Sequence, residues 1–179
     1  TVTIKVIKGY LSTATQIGVD IKGELAGDNS GYSISFNEDA TIMAIGARLN
    51  DGNGSDSGHV RVYQYSSDAW TQLGDDINGE AAGDKSGYSV SLSSDGKTIA
   101  IGAYNNTGNG VYSGHVRIYN YNDTDWVQLG EDINGEDASD NSGYSVSLSS
   151  DGKTVAIGAR NNSGNGASSG HVRIYNYNG

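Results

Sequence analysis

Short runs of alternating apolar and polar residues cover most of the chain, and residues 88–133 show the pattern most clearly. Val90 and Leu92 alternate with serines in YSVSLS, and Val116 and Ile118 alternate with polar and aromatic residues in HVRIYNYN. Between them, TIAIGA is a nearly continuous apolar run, which is typical of a strand buried on both faces. WVQLGEDI follows after the turn sequence DTD. The pattern therefore predicts four consecutive β-strands, labelled A to D.

The connections between these segments favour an antiparallel meander. Asp95 and Gly96, between strands A and B, are a strong hairpin signal, because Asp-Gly readily supplies the positive φ angles of a type I′ turn. A longer loop, NNTGNGVYSG, joins strands B and C. The alternative is a parallel β-solenoid, but its coils are shorter and lack the Asp-Gly hairpin.

The same pattern occurs three times, with a spacing of 56 residues. SGYS begins at Ser30, Ser86 and Ser142, SGHVR begins at Ser57, Ser113 and Ser169, and tryptophan occurs at Trp70 and Trp126. Four-stranded units repeated at about 50 residues are characteristic of β-propeller blades, which depend on their neighbours for burial. We therefore predict an all-β fold, a β-propeller-type array of three four-stranded antiparallel blades of about 56 residues each.

The repeat spacing also predicts that the two ends of the array are out of phase. TQIGVDIKGE at 15–24 matches strand D, whereas the third copy has no strand D of its own. Strand exchange, or a ring completed by another copy of the chain, would resolve this mismatch, and two copies head to tail would give six blades. The predicted segments are an extra N-terminal strand that could link subunits (1–14), repeat 1 with the preceding strand D (15–69), repeat 2 (70–125) and repeat 3 without its last strand (126–179).

The repeated residues resemble a known family. SGYSVSLSSDGKTIAIGA followed by SGHVRIYNY is similar to the FG-GAP repeats of integrin α-subunit propellers, in their microbial variant form. Residues 87–90 correspond to the FG part, residues 101–103 to the GAP part, and residues 114–119 to the closing strand. The resemblance covers nearly the whole chain and implies an extracellular or cell-surface protein.

One feature departs from that family. Integrin-type repeats often carry a calcium loop between their first two strands, whereas here the connection is only Ser-Ser-Asp-Gly-Lys at 93–97. Six to eight oxygen ligands do not fit in a loop of that length. The calcium site of the family is therefore not expected at this position.

The composition and charge of the chain exclude several kinds of site and partner. The 179 residues carry a formal net charge of −10 and contain no cysteine, which excludes disulfides, thiolate metal sites and a cysteine nucleophile. An acidic surface repels phosphate backbones, so nucleic acid is not an expected partner. No apolar segment approaches the roughly 20 residues that span a bilayer. The sequence shows no signal-peptide pattern, so the extracellular location rests on the family resemblance.

The glycine-rich loop between strands B and C has three possible roles: phosphate binding, calcium binding or a simple turn. A dinucleotide-binding loop requires G-x-G-x-x-G between a strand and a helix, but here the spacing is longer and a strand follows. In the first copy Asn50, Asp51, Asn53 and Asp56 offer oxygen ligands, so Ca²⁺ is the one cofactor that this loop could hold. The later copies replace both aspartates, and the prediction common to all copies is a turn with left-handed glycine and asparagine.

Histidines and paired carboxylates also recur at fixed repeat positions. The equivalent histidines would lie a whole blade apart, so we expect each to contact a neighbouring loop or blade and not to share one metal ion. The carboxylate pairs could serve as acid and base, but they accompany no nucleophile of their own, and we expect turns there, with cation or sugar contacts as the alternative. These residues are His59, His115 and His171, and Glu24/Asp28, Glu80/Asp84 and Glu136/Asp140.

Aromatic residues of strands C and D are the main binding candidates, because their rigid rings can stack on sugars or dock another protein. They are Tyr63, Tyr65, Trp70, Tyr119, Tyr121, Trp126, Tyr175 and Tyr177. The alternative is that they pack between blades. Sequons for N-glycosylation occur at Asn53, Asn105, Asn122 and Asn161 and would matter in a secreted eukaryotic protein.

Together these features predict a non-catalytic, extracellular or cell-surface module that acts in protein–protein adhesion or as a structural, assembling subunit. Its expected partners are further copies of itself and another surface protein or glycan. We expect no catalytic residues, because no copy contains an asymmetric set of catalytic groups. The main alternative is a lectin that binds glycans through its repeated loops, and an enzyme is the least favoured alternative.

Overall fold

The computed structural model describes residues 6–7, 10–11 and 15–177, and these residues contain strands and turns and no helix. Within these ranges, accordingly, no helix is long and apolar enough to cross a membrane. Near the N-terminus β1 (Val6–Ile7) pairs with β2 (Tyr10–Leu11). The rest of the predicted N-terminal strand in 1–14 lies outside the described residues.

Three separate antiparallel sheets follow, one for each repeat. The first contains β3 (Ser30–Phe36), β4 (Ile42–Ala47), β5 (His59–Ser66), β6 (Ala69–Gln72) and β7 (Ile77–Asn78). The second contains β8 (Ser89–Leu92), β9 (Thr98–Ala103), β10 (His115–Tyr121), β11 (Trp126–Gln128) and β12 (Ile133–Asn134). The third contains β13 (Ser142–Leu148), β14 (Thr154–Ala159) and β15 (His171–Asn176). Strands neighbour each other in chain order, which confirms the predicted meander and the propeller-type array.

Burial follows the alternation seen in the sequence. In β5, Val60 and Val62 are fully buried toward the second sheet, whereas Arg61 between them is half-buried on the opposite face. Every residue of β9 is buried, as the continuous run TIAIGA predicts, because this strand lies between two other sheets. In β14 buried and half-buried residues alternate, since the described residues cover one face of the third sheet only.

The hydrophobic core lies between neighbouring sheets. One cluster joins the first two sheets, and its members include Val60, Leu92 and Ile99. A second cluster joins the second and third sheets around Val116 and Ile157. The apolar residues of each sheet are therefore buried against the neighbouring sheets, as expected for stacked blades.

Three local details differ from the predictions. Strand D is interrupted, because β11 and β12 are separate segments that both pair with β10. The turn between strands A and B is not type I′, since Gly96 has a positive φ of 71° and Asp95 does not. Residues 15–24 form no strand, because no described segment pairs with them in a ladder.

The meander places several connections at one end of each blade. Strand A begins at the end where the D–A and B–C connections lie, and the inner strands β3, β8 and β13 contact one another in sequence. Gly102 permits this close approach, since a Cβ there would overlap the carbonyl oxygen of Gly143 in the next blade. The starts of three strands A therefore converge on a shared surface.

Candidate functional site

A row of aromatic and cationic side chains occupies the surface where the inner strands begin. One tyrosine lies in or directly before each strand A, and the residue that follows each strand B is an arginine or a further tyrosine. We call this set the arginine–tyrosine row, and it consists of Arg48, Tyr32, Tyr88, Tyr104, Tyr144 and Arg160.

An irregular backbone at the start of strand A positions the tyrosines. The ladders of the first and third sheets are shifted at this point, so that Tyr32 and Tyr144 lie in β-bulges. The turn before each tyrosine contains a left-handed residue, and at Lys85 this conformation, with φ of 58°, is uncommon for a residue other than glycine. Bulges re-aim side chains and are frequent beside functional sites.

The aromatic rings form a continuous chain of contacts. The ring centroid of Tyr88 lies 4.9 Å from that of Tyr32 and 4.9 Å from that of Tyr144. The ring of Tyr104 lies 4.3 Å from Tyr88 and 5.7 Å from Tyr144. Tilted and edge-on ring pairs at these separations are attractive beyond their buried area. The four tyrosines therefore form one platform across three blades.

An arginine lies at each end of this platform. The guanidinium carbon of Arg48 is 4.2 Å from the ring centre of Tyr32, and that of Arg160 is 4.1 Å from the ring centre of Tyr144. Nη1 of Arg160 also donates a hydrogen bond of 2.9 Å to the hydroxyl oxygen of Tyr144. Nε of Arg48 is buried and has no hydrogen-bond partner among the described residues.

The row is cationic on a protein whose formal net charge is −10. Burial, and secondarily the neighbouring phenols of Tyr144 and Tyr32, raise the pKa of Tyr88 far above its usual range. Tyr88 is therefore a neutral phenol at physiological pH, and its hydroxyl can donate a hydrogen bond. The arrangement offers two positive charges, phenol donors and aromatic faces, which are suited to an anionic or polyhydroxylated ligand.

A second kind of cluster lies at the outer side of the same blade end. In the second blade Arg117 donates from Nε and Nη2 to the carboxylate of Asp132, at 2.7 and 2.8 Å, and contacts Glu80 at 2.8 Å. Arg61 makes the same paired bonds to Asp76 and also contacts Glu24. We call these groups the clamps, because each guanidinium joins strand D of one blade to the preceding D–A connection.

The histidines belong to the clamps. Nδ1 of His59 lies 3.7 Å from both Glu24 and Asp76 and, like Nδ1 of His115, has no hydrogen-bond partner within the described ranges. Burial lowers the pKa of both histidines, so they are neutral at pH 7. The ligand atoms of each Glu-His-Asp group are close enough to hold a metal ion. In the first two clamps one guanidinium already pairs with both carboxylates, and an ion there would have to compete with it.

The B–C loop is held by hydrogen bonds to the D–A connections before and after it in the chain. The side-chain oxygen of Asn50 accepts from the Gly52 amide at 2.8 Å, and its amide group donates to Asp28 at 3.0 Å. Asp51 accepts from the backbone of Asp56 at 2.8 Å, and Asn53 donates to the Gly79 carbonyl at 2.9 Å. Equivalent bonds recur in the second copy, around Asn106 and Asn109. The predicted calcium ligands thus take part in the turn, and calcium binding there stays a prediction.

The aromatic residues predicted to bind ligands lie between blades and on the outer strands. Trp126 is buried and contacts Tyr121, at 5.3 Å between centroids, while Trp70 contacts Tyr65 at 5.1 Å. Tyr119 packs against the first hydrophobic cluster. Tyr63, Tyr175 and Tyr177 occupy the equivalent outer positions. None of the eight belongs to the arginine–tyrosine row, and their role in binding stays a prediction.

The asparagines of the four sequons lie in turns and differ in the hydrogen bonds and burial of their side chains. The amide nitrogens of Asn53 and Asn161 donate to Gly79 and Asn141, and a glycan there would remove those bonds. Asn105 is half-buried. At Asn122 the side-chain oxygen accepts from the turn, at 3.0 Å from the Thr124 nitrogen, so this sequon is the one most compatible with a glycan.

Comparisons with known proteins agree with the architecture. Residues 23–63 and 78–119 match the model of the FG-GAP repeat, which identifies these two segments as FG-GAP repeats. A solved periplasmic gluconolactonase from Pseudomonas aeruginosa is 17% identical, with a TM-score of 0.59, and the match covers 93% of this chain and 43% of that one. A structure from Bacteroides uniformis described as a candidate 6-phosphogluconolactonase is 13% identical, with a TM-score of 0.62 and coverage of 99% and 43%. No protein of curated function matches in sequence.

These comparisons correct two predictions. At this level of identity the two structures establish the propeller fold, and the chain spans less than half the length of either. Both are nevertheless described as lactonases, so the prediction of a non-catalytic adhesive or structural module, and with it the exclusion of enzymes, is wrong. That exclusion rests on the likeness of the three copies. It fails because Arg48, Tyr104 and Arg160 differ at one repeat position and converge on one surface.

Sequence reasoning missed the arginine–tyrosine row for an identifiable reason. The family resemblance includes the tyrosine of SGYS only as part of its pattern, although this tyrosine is the one aromatic residue of strand A common to all three copies. A second signal is the repeat position occupied by Arg48, Tyr104 and Arg160, because its residue type changes between copies. Their proximity depends on the packing of neighbouring inner strands, which the sequence pattern does not specify.

Proposed function

We propose that the chain supplies three blades of a propeller enzyme that binds a sugar lactone, and its sugar-acid product, at the arginine–tyrosine row. The observation that carries the proposal is the placement of Arg48 and Arg160 at opposite ends of a tyrosine platform, where the inner strands begin. The lactonase descriptions of the two similar propellers support this substrate class.

Lactone hydrolysis requires the groups that the row offers. Attack of water on the lactone carbonyl places negative charge on its oxygen, and ring opening produces a carboxylate and a hydroxyl group. Guanidinium and phenol groups donate hydrogen bonds to such oxygens, while tyrosine faces pack against the apolar face of a sugar ring. The row contains neither carboxylate nor imidazole. We therefore assign it substrate binding and oxyanion stabilisation, with the base that activates water placed outside it.

Hydrolysis of glucono-δ-lactone tests this proposal. Proton release is followed with the native chain, and the spontaneous rate is subtracted using a heat-denatured sample. We expect R48Q and R160Q each to lower kcat/KM by about tenfold or more, because each removes a charged donor. The matched control is K97Q, which removes a cation from an exposed pair far from the row. A native rate equal to the spontaneous rate would overturn the proposed catalysis.

Carbohydrate binding without turnover is the second candidate function. It is favoured by a platform of four contacting tyrosines that contains no base. In that case gluconate would bind at the row and R48Q would weaken binding, while the rate of lactone hydrolysis would stay at its spontaneous value. The two candidates are therefore separated by measuring binding and turnover on the same samples.

We also propose that the protein acts outside the cytoplasm. One of the two similar propellers is described as periplasmic, and the absence of cysteine imposes no redox requirement on folding in either compartment. Fractionation of cells that express the full gene tests this location, and recovery of the protein in the cytoplasmic fraction alone would contradict it.

A further inference from the structure

In the first two blades a tryptophan of strand D lies against a glycine of the preceding D segment. Nε1 of Trp126 donates a hydrogen bond of 2.8 Å to the Leu73 carbonyl, and a Cβ on Gly74 would come within 2.9 Å of the indole. Nε1 of Trp70 donates a hydrogen bond of 3.2 Å to the Ile17 carbonyl. Gly18 is the equivalent of Gly74, and a Cβ on Gly18 would come within 3.0 Å of the Trp70 indole. The glycine therefore leaves room for the indole.

Among the described residues, no indole lies against the third glycine of this series, Gly130. Leu129 and Gly130 occupy the positions of Leu73 and Gly74, but a Cβ on Gly130 would meet no described atom within 4 Å. A cavity of about 230 Å³ lies there instead. Its lining includes Ile118, Leu129, Ile133, Leu148, Val155 and Tyr177. We call this cavity the indole socket.

The third clamp, which contains Arg173 of β15, is incomplete and lies at the same end blade as the indole socket. In the first two clamps Nε of the arginine donates to the aspartate of strand D, at 2.8 Å for Arg61 and 2.7 Å for Arg117. Arg173 is the equivalent residue in β15, and its Nε is buried without a hydrogen-bond partner among the described residues. The contact with Glu136 is retained at 3.6 Å. The atom left without a partner is thus the one that binds aspartate in the other blades.

We infer that the indole socket and Arg173 form an acceptor site for an extended strand that carries a tryptophan and, six residues later, an aspartate. Within the described residues β15 pairs with β14 on one side only, so its other edge can form a new ladder. In the first two sheets the tryptophan pairs with Tyr65 or Tyr121, which places the incoming tryptophan opposite Tyr177. The aspartate then reaches Nε of Arg173.

The occupant is a strand of the same repeat type and not residues 15–24 of a second copy. That segment does contain the aspartate, because Asp20 accepts a 2.7 Å bond from Gln16, as Asp132 does at 2.8 Å from Gln128. It has alanine at position 14, where the repeat has tryptophan. It would therefore leave the apolar cavity open, at a cost that a tryptophan avoids. The inference does not depend on the proposed catalysis at the arginine–tyrosine row.

Two peptides of equal length test this acceptor site. One has the sequence of residues 123–136, which carries the tryptophan and aspartate, and the other has the sequence of residues 11–24. Each is titrated into the native chain by calorimetry, and the amide resonance of Gly130 is followed by NMR. We expect the 123–136 peptide to bind one per chain and to shift the Gly130 resonance, and its W126A version to bind about tenfold or more weakly.

A double-mutant cycle tests the contact with Arg173. The D132N version of the peptide should bind more weakly than its parent to the native chain, but equally well to the R173Q protein. Absence of binding up to about 1 mM, binding that leaves Gly130 unshifted, or equal binding of the W126A peptide would each overturn the inference. Equal affinity for the 11–24 peptide would also overturn it, because the occupant would then be the N-terminal segment of a second copy.

Discussion

Arg117 binds Asp132 through two parallel hydrogen bonds, 2.7 Å from Nε and 2.8 Å from Nη2, on the half-buried outer side of the second blade. The same guanidinium contacts Glu80, which precedes the first strand of that blade. One side chain thereby joins strand D to the connection that enters the blade. Bidentate arginine–carboxylate pairs fix geometry as well as charge.

Loss of the Asp132 carboxylate should destabilise the fold measurably. We expect D132N to lower the free energy of unfolding by about 1–3 kcal/mol, because it leaves a partly buried guanidinium poorly paired. Urea unfolding followed by circular dichroism measures the change. K97Q is the control, since Lys97 and Asp123 form an exposed, solvent-screened pair that contributes little to stability.

The pH dependence of the stability difference between the native chain and D132N tests whether the ionised Asp132 carboxylate causes it. The hydrogen bonds from Arg117 are the main reason that the pKa of Asp132 lies below its usual range. A carboxyl with a lowered pKa stabilises the folded state above the unfolded pKa of about 4, and this contribution is lost as pH falls through the folded pKa. The native chain and D132N should therefore converge in stability below pH 4. A difference that persists at low pH would contradict the assignment.

The buried histidines should make stability depend on pH in a range above that of the Asp132 carboxylate. Burial is the main cause of the lowered pKa values of His59 and His115, so between the folded pKa and about 6.5 the unfolded chain binds more protons than the folded one. The free energy of unfolding should therefore decrease as the pH falls below about 7. Urea titrations at several pH values should show this slope in the native chain and a flatter one in H59Q/H115Q. An unchanged slope in the double variant would assign it to other groups.

Trp126 should be the more important of the two tryptophans for stability. It is buried and bonded to the Leu73 carbonyl, so W126A is expected to cost about 3–5 kcal/mol. Trp70 is half-buried, and W70A should cost clearly less. W126F, which fills part of the space but removes the donor, is expected to cost about 1 kcal/mol. Equal losses for W70A and W126A in urea unfolding would show that the blade interface does not depend on the buried indole.

Two glycines at equivalent positions provide a test of blade stacking. A Cβ on Gly102 would overlap the Gly143 carbonyl oxygen of the next blade, whereas on Gly158 it would overlap only Ser145 of its own sheet. Both meet a serine hydroxyl oxygen, so the difference between G102A and G158A isolates the contact between blades. G102A should be less stable than G158A by about 1–3 kcal/mol. Equal stability would mean that the two sheets are further apart than described.

The sequence specifies the blades more completely than the site. The alternation around Val60 and Val62 and the continuous run in β9 predict strands and burial, because both depend on local periodicity. The split of strand D into β11 and β12 follows from pairing with β10, and it is not visible in the run WVQLGEDI. The arginine–tyrosine row could not be predicted in the same way, since Tyr88 meets Tyr32 and Tyr144 only through the contact between inner strands.

Gluconate binding at the arginine–tyrosine row is the most direct test of the functional account. Calorimetric titration is combined with NMR of the tyrosine rings, and the neutral polyol glucitol serves as the ligand control. The account predicts one gluconate per chain, shifts of the Tyr88 and Tyr144 resonances, weaker binding of glucitol, and an affinity about tenfold or more lower in R48Q and in R160Q, which corresponds to about 1.4 kcal/mol. Gluconate binding that is undetectable, or unchanged in both arginine variants, would contradict it.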